Sequence, residues 1–174
     1  MEKEYEKIAF GGSCHWCTEA IFQSLIGVKA VEQGFVATNT ALEDFSEAVI
    51  VHFNAEKISL KILIEVHLRT HNSTVMHSRR DLYRSAVYTF SANQESEAKA
   101  ILKSLQSGFA EQIITQVFPF GAFKSSRQEI LDYYYSNPQK PFCKNNIDPK
   151  LKLLLKEFAD VTDKERLQHL NENY

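Results

Sequence analysis

The chain has 174 residues, 44% hydrophobic and 24% charged, and a formal net charge of -2 at pH 7. This length can bury one hydrophobic core, so the sequence predicts a single domain over residues 1–174. No apolar run approaches the roughly 20 residues of a membrane span, and the slightly acidic balance argues against a nucleic-acid partner. The start of the chain lacks the apolar stretch of a secretory signal, which predicts a cytoplasmic protein.

Five segments have the alternation or the β-rich composition of strands, namely residues 5–11, 28–36, 47–53, 84–90 and 112–120. Helical patterns occur at residues 15–25, 60–68, 94–105, 127–135 and 149–160. Up to residue 135 the order is β-α-β-β-α-β-α-β-α, and it contains a β-α-β-β-α-β unit. We therefore expect an α+β fold with a ferredoxin-like split βαβ core, in which helices pack on a mixed sheet.

The C-terminal part, residues 136–174, reads as a loop followed by helices. Residues 136–150 are rich in proline and asparagine, which predicts an ordered or semi-mobile loop before the helix that starts at Pro149. The polar stretch from residue 161 onwards predicts a short exposed helix or a frayed end.

Three cysteines are too few, and odd in number, for a structural disulfide framework in a reducing compartment. Cys14 falls where a strand passes into a helix, so backbone N–H groups and the helix dipole should lower its pKa and make it the best nucleophile. Cys17 lies one helical turn later, where it could form a disulfide with Cys14. Alternatively, Cys17 is simply a small buried apolar residue.

The segment FGGSCHWCTE, residues 10–19, resembles the nucleophile segment of the A-type peptide methionine sulfoxide reductases, usually F-G/A-G-G-C-F-W-C/G-x-E. Further similarities follow in chain order: GF at 34–35 with G-Y, SEAVIVHF at 46–53 with H-A-E-A-V, RTHNST at 69–74 with N-H-D-P-T, YRSAVY at 83–88 with Y-R-S-A-I-F, and PFCKNNIDPKL at 141–151 with a segment that carries a cysteine before I-x-P-K-L. The resemblance covers nearly the whole chain, and the family's α+β fold agrees with the predicted elements.

This resemblance implies that Cys14 attacks the sulfur of a methionine S-sulfoxide, releases methionine and becomes a sulfenic acid. A second thiol then condenses with it. Cys143 matches the family's resolving cysteine, and Cys17 is the local competitor for that role. Thioredoxin or a similar dithiol would reduce the disulfide, so the expected partners are thioredoxin and methionine sulfoxide, free or in proteins, and no cofactor is expected.

Three more residues receive roles from the same resemblance. Glu47 matches the family's acid, which gives a proton to the sulfoxide oxygen and needs a pKa raised by burial. Tyr83 matches a tyrosine that hydrogen-bonds the substrate oxygen or an ordered water. Trp16 would form an apolar wall for the substrate methyl group.

The sequence departs from the family pattern at several positions around this site. His15 stands where the family has a second aromatic wall, phenylalanine, and it could still contact the methyl group, activate Cys14 or loosen the pocket. Phe35 replaces a tyrosine and loses a hydroxyl. Ser78 stands where an aspartate precedes the tyrosine, and Asp81 nearby is not assigned that role.

Other functions remain open from the residues alone. His67 and His71 have the i, i+4 spacing of metal ligands, but no H-E-x-x-H or paired C-x-x-C motif accompanies them, and we expect no metal. A thioredoxin-like disulfide oxidoreductase is a second possibility, and a catalytically impaired domain that binds Met-containing peptides is a third. The basic stretch SRRDLYR, residues 78–84, predicts a solvated loop, although an acidic peptide could bind there.

Overall fold

The computed structural model describes residues 5–171. Its strands are β1 Glu6–Gly11, β2 Val28–Thr38, β3 Ala41–Phe53, β4 Ala86–Thr89 and β5 Gln116–Ser125. Its α-helices are α1 His15–Gln23, α2 Leu60–Thr70, α3 Ala92–Leu105, α4 Tyr133–Ser136, α5 Asp148–Glu157 and α6 Gln168–Asn171, and a π-helix at Cys143–Ile147 leads directly into α5. Within residues 5–171, no helix has the length and apolarity needed to cross a membrane.

The sheet combines the expected core with one extra strand. Strands β4, β1, β3 and β2 lie side by side in that order, and every neighbouring pair among them is antiparallel. This is the arrangement of a split βαβ core, so the predicted α+β fold is confirmed. Strand β5 pairs antiparallel with β2 and parallel with β4, which makes the sheet mixed and closes it into a barrel. The closure was not predicted from the sequence.

Alternate residues of each strand divide between two apolar clusters, because successive side chains of a strand point to opposite faces. On β1, Ile8 and Phe10 belong to the large cluster that includes the helices, whereas Ala9 belongs to a smaller cluster inside the barrel. Phe10 stacks on Phe22 of α1 with ring centroids 4.7 Å apart. This packing fixes α1 against the outer face of the sheet, and with it the residues at the start of the helix.

Two local predictions for the C-terminal part were wrong. The single helix expected at residues 127–135 is instead a 3₁₀ turn at Gln128–Ile130 followed by α4, and Asp132 separates them with left-handed backbone angles, φ 54° and ψ 40°. The loop expected at residues 136–150 is helical from residue 141 onwards. Of the polar end, α6 covers Gln168–Asn171, and residues 172–174 lie outside the described part of the chain.

A buried carboxyl group explains the break at Asp132. Glu19 of α1 is 2% exposed, and its oxygens accept hydrogen bonds from the backbone N–H of Asp132 at 3.0 Å and of Tyr133 at 3.1 Å. The Gln33 side-chain amide donates a third bond at 3.0 Å. Burial raises the pKa of Glu19, and these hydrogen bonds oppose that rise. Glu19 therefore attaches the segment around Tyr133 to helix α1.

Replacing Glu19 with alanine should leave two backbone N–H groups without acceptors and remove one of the two acceptors of the Gln33 amide, which also donates to the carbonyl oxygen of Ile130. Because buried donors without partners are unfavourable, we expect E19A to lower the free energy of unfolding by roughly 2–4 kcal/mol. Urea denaturation of E19A and of E97A, which removes an exposed glutamate of α3, measures the difference. Equal midpoints for the two variants would show that Glu19 does not hold this segment.

Candidate active site

The turn between β1 and α1 requires glycine. Gly12 has φ 152°, and a Cβ atom built there would lie 2.5 Å from the ring of His71. A Cβ atom on Gly11 would lie 2.9 Å from the carbonyl oxygen of Glu47. The chain can therefore pass tightly between α2 and β3 only because both residues lack side chains. Cys14 follows as the N-cap of α1, and its side chain is partly exposed.

The first backbone amides of α1 are directed at two of the predicted site residues. The N–H of Trp16 donates to the sulfur of Cys14, and the N–H of His15 donates to the carboxylate of Glu47. These groups have no acceptor within the helix, since the first turn of every helix leaves its N–H groups unpaired. The helix start thus brings Cys14 and Glu47 to one place.

Strand register positions Glu47 and its neighbours. Phe35 on β2 pairs directly with Glu47 on β3, so their side chains lie on the same face of the sheet. The side chain of Glu47 is 18% exposed and faces the start of α1. Phe35, which is also partly buried, lies beside the Glu47 side chain.

Tyr83 is held beside Glu47 by hydrogen bonds from β3. The carbonyl oxygen of Leu82 accepts from the N–H of Glu47 at 3.0 Å and from the Ser46 hydroxyl at 2.8 Å. Ser46 Oγ also accepts from the N–H of Arg84 at 2.8 Å. With both of its neighbours fixed, Tyr83 directs its hydroxyl to the Glu47 carboxylate and donates a hydrogen bond.

His15 makes the closest contact with Glu47. Its Nδ1 lies 2.9 Å from the carbonyl oxygen of Gly34 and must donate there, because a carbonyl oxygen only accepts. Its Nε2 lies 3.0 Å from Oε1 of Glu47. The ring is 3% exposed and meets Phe35 edge to face at 5.2 Å between centroids. His15 therefore lies behind Glu47 with its ring shielded from solvent.

The surroundings of Glu47 favour its protonated form. Burial raises the pKa of Glu47 above its ordinary value of 4.5, which is the larger effect. His15, the Tyr83 hydroxyl, the His15 N–H and Arg79 all act in the opposite direction. The carboxyl group can consequently hold a proton under milder conditions than an exposed glutamate.

Cys14 and Cys17 share a hydrogen bond between their sulfurs. This bond and burial raise the pKa of Cys14, although the N–H of Trp16 lowers it. The same bond, together with the charge of Lys150, lowers the pKa of Cys17. The lowered pKa predicted for Cys14 was therefore wrong for the reduced protein. The reason is that the Cys14 thiol is buried and donates a hydrogen bond to the sulfur of Cys17, which holds the proton on Cys14; the position at the helix start reveals neither effect.

Cys143 lies at the start of the π-helix and is 0% exposed. Burial raises its pKa, with smaller contributions from the charges of Asp148 and Cys17. Cys143 and Cys17 belong to the same buried apolar cluster. All three cysteines are free thiols in this state.

An aromatic group around Trp16 was missed by the sequence analysis. The indole stacks on Tyr133 with centroids 4.1 Å apart and planes 8° from parallel, and Phe142 meets it edge-on at 5.3 Å. Neither partner is close to Trp16 in sequence, so only the fold brings them together. Within the described chain, the buried Nε1 of Trp16 has no hydrogen-bond partner.

A cleft of about 660 Å³ opens beside the two thiols. It is lined by Cys14, Cys17 and Tyr83, by the loop between α2 and β4, and by the start of α5. Trp16, Phe35 and Glu47 are not among its lining residues, so the cleft and the Glu47 face meet at Cys14 and Tyr83. Ser78 is exposed and does not line the cleft.

His67 and His71 form a neutral stacked pair, with ring centroids 4.1 Å apart. The His71 Nδ1–H donates to the carbonyl oxygen of His67, and its Nε2 accepts from Ser85 Oγ at 2.8 Å. Burial lowers the pKa of His71 to about 4, and burial also lowers the pKa of His67 well below 6.5. Nowhere in residues 5–171 do three or more His, Cys, Asp or Glu side chains form a group suited to a metal ion.

Comparisons with known proteins identify the family of this chain. The family model of peptide methionine sulfoxide reductase matches residues 6–162. The peptide methionine sulfoxide reductase MsrA of Trichodesmium erythraeum is 33% identical over 171 residues, covering 89% of this chain and 97% of that relative.

Solved structures show the same fold. Reduced Mxr1 from Saccharomyces cerevisiae superposes with a TM-score of 0.71 at 21% identity, covering 82% of this chain and 91% of that chain. Mxr1 in complex with Trx2 gives a TM-score of 0.61 at 21% identity, covering 74% and 86% of the two chains. With the family model matching nearly its whole length, this chain belongs to the peptide methionine sulfoxide reductase family.

Proposed function

We propose that the chain reduces the S epimer of methionine sulfoxide, free or within proteins, with Cys14 as the nucleophile and Glu47 as the acid. One observation carries the proposal: neighbouring N–H groups of a single helix start bind the sulfur of Cys14 and the carboxylate of Glu47. A thiol and a raised-pKa carboxyl are the two groups that reduction of a sulfoxide needs.

In the first step the sulfur of Cys14 bonds to the sulfoxide sulfur, and the substrate oxygen takes a proton from Glu47. The hydroxyl group then transfers to the sulfur of Cys14 as the sulfur–sulfur bond and the substrate's sulfur–oxygen bond break, which leaves Cys14 as a sulfenic acid and releases methionine. The thiol proton of Cys14 must go elsewhere as the sulfur attacks. Cys17, which accepts a hydrogen bond from Cys14 and has the lower pKa of the pair, takes this proton as the thiolate and becomes a thiol.

His15 and Tyr83 position the acid. Tyr83 donates to the carboxylate and is well placed to bind the substrate oxygen as that oxygen gains negative charge. His15 contacts Glu47 through Nε2 because Gly34 occupies its other nitrogen. We assign the methyl group of the substrate to the apolar surface of Trp16 and Phe35, which lies beside Cys14 and Glu47.

Two thiols can resolve the sulfenic acid, and the structure supports an order. Cys17 contacts Cys14 directly, whereas Cys143 is buried in the apolar cluster that also contains Cys17. We propose that Cys17 condenses first with Cys14, releasing water, and that Cys143 then attacks Cys17 by thiol–disulfide exchange. The irregular π-helix that starts at Cys143 is the element that must move for the second step.

An external dithiol then restores the reduced enzyme. Mxr1 has been solved in complex with Trx2, which supports thioredoxin as the reductant for this chain too. No prosthetic group enters any step above. The cytoplasmic location and the single-domain organisation remain predictions from the sequence.

The assay that tests the function uses each epimer of N-acetylmethionine sulfoxide amide with dithiothreitol. We expect turnover of the S epimer only, none with C14S, and a kcat lowered roughly 10²–10⁴-fold in E47Q, because the acid is lost. E43Q, which neutralises an exposed glutamate of the same strand, serves as the matched control. Wild-type protein that binds the sulfoxide without reducing it would instead indicate a binding module.

Replacing His15 with phenylalanine should change the pH profile. His15 lowers the pKa of Glu47, so its removal raises that pKa, and Glu47 keeps its proton to higher pH. The alkaline fall in the single-turnover rate of methionine formation should therefore move to higher pH in H15F. His52 forms a similar pair with Glu32 at 2.7 Å on the surface, so H52F should leave the profile in place. A profile that is the same in H15F and wild type contradicts the assigned role.

The order of disulfides can be read by mass spectrometry after one equivalent of sulfoxide and rapid alkylation. C143S should accumulate a Cys14–Cys17 disulfide, and wild-type protein should proceed to Cys17–Cys143. The relay would be rejected if C17S formed a Cys14–Cys143 disulfide as fast as wild-type protein consumes its sulfenic acid.

A further inference from the structure

The cleft beside Cys14 has a charged lining of one sign, although the chain as a whole carries a net charge of -2. Its lining contains no aspartate or glutamate and the following basic side chains: Arg69, His71, His77, Arg79, Arg80 and Lys150. His71 is neutral, since burial lowers its pKa to about 4. Apart from His71 and His77, the lining holds three arginines and a lysine, which carry permanent positive charge.

Within residues 5–171, none of these four cations forms an ion pair with a carboxylate, unlike Arg84, which lies 2.8 Å from Asp44. Arg80 is the clearest case. It is 9% exposed, and its N–H groups donate to backbone carbonyls, among them those of Gly12 at 2.8 Å and Asn72 at 2.6 Å. A buried guanidinium held only by neutral carbonyls leaves its positive charge uncompensated.

Lys150 and Arg79 approach the reacting groups from different segments, whereas Arg69 is held by Gly108 and Phe109. The Lys150 Nζ of α5 lies 3.5 Å from Ser13 Oγ, next to Cys14 in the chain. The guanidinium of Arg79 lies 5.5 Å from the centre of the Tyr83 ring. Phe142, Pro149 and Leu153 add apolar surface to the same cleft. Charges act more strongly beside such low-dielectric surfaces than in open water.

We infer that this cleft binds a carboxylate of the substrate, so that the preferred methionine sulfoxides carry an acidic group near the reacting side chain. The inference rests on the proposed function. Consecutive Cα atoms of a substrate peptide are about 3.8 Å apart. When the sulfoxide is held at Cys14, the α-carboxylate of the same residue, or the side chain of an adjacent Asp or Glu, is therefore brought to the cleft. Glu47, the acid of the reaction, does not line the cleft, although Arg79 acts on its charge from there.

The two sources of carboxylate can be separated with four substrates. N-acetylmethionine sulfoxide amide is neutral, N-acetylmethionine sulfoxide carries the α-carboxylate, and the dipeptide amides Ac-Glu-Met(O)-NH₂ and Ac-Lys-Met(O)-NH₂ carry side-chain charge. Dissociation constants are measured on Cys14→Ser protein, and kcat/KM is measured on wild-type protein with dithiothreitol. We expect the acidic substrates to bind roughly 5–10-fold more tightly than the neutral one, and the lysine peptide more weakly.

Salt and matched variants provide the controls. The preference should shrink in about 0.5 M NaCl, because screening weakens the attraction. R79Q and K150Q should reduce the ratio of acidic to neutral binding, whereas K61Q, which removes an exposed lysine of α2 outside the cleft, should keep it. Equal binding of acidic, neutral and basic substrates would overturn the inference.

The outcomes also separate this inference from the proposed function. A charge preference in the binding data supports the carboxylate site even if no sulfoxide is turned over, and that lack of turnover counts against the proposed function alone. Turnover without any charge preference supports the proposed function and counts against the carboxylate site. If R79Q and K150Q impair only the reaction with thioredoxin and leave the substrate ratios unchanged, the cleft serves the reductant and the inference is wrong.

Discussion

The site depends on where helix α1 begins. The tight turn at Gly11 and Gly12 fits between α2 and β3, and stacking of Phe10 on Phe22 holds the helix against the sheet. The first amides of the helix then bind Cys14 and the carboxylate of Glu47. Any shift of this turn would separate the two groups, because Glu47 is fixed independently by the pairing of β3 with β2.

Two sets of groups control protons and charge around Cys14. Burial raises the pKa of Glu47, and His15 and Tyr83 hold its carboxyl group in place. The cations of the cleft favour negative charge beside the two thiols, and Lys150 lowers the pKa of Cys17. Within the thiol pair, the hydrogen bond between the sulfurs raises the pKa of Cys14 and lowers that of Cys17. A proton donor for the substrate oxygen and a proton acceptor for the Cys14 thiol are thus both close to the reacting sulfur.

Patterns within short sequence segments predicted the strands and the main site residues. Alternation identified all five strands among the described residues, and the motif register named Cys14, Glu47 and Tyr83, which the fold brings together. Long-range contacts supplied the rest: the stacking of Tyr133 on Trp16, the closure of the barrel by β5, and the capture of the Asp132 backbone by Glu19. The pKa of Cys14 could not be predicted from its position at a helix start, because it depends on Cys17 and on burial.

The most direct test is a crystal structure of Cys14→Ser protein with a peptide that contains methionine S-sulfoxide. The account predicts that the sulfoxide sulfur faces the hydroxyl of residue 14 and that its oxygen lies within hydrogen-bond distance of both Glu47 and Tyr83. A sulfoxide bound with its oxygen directed away from Glu47 would contradict the account.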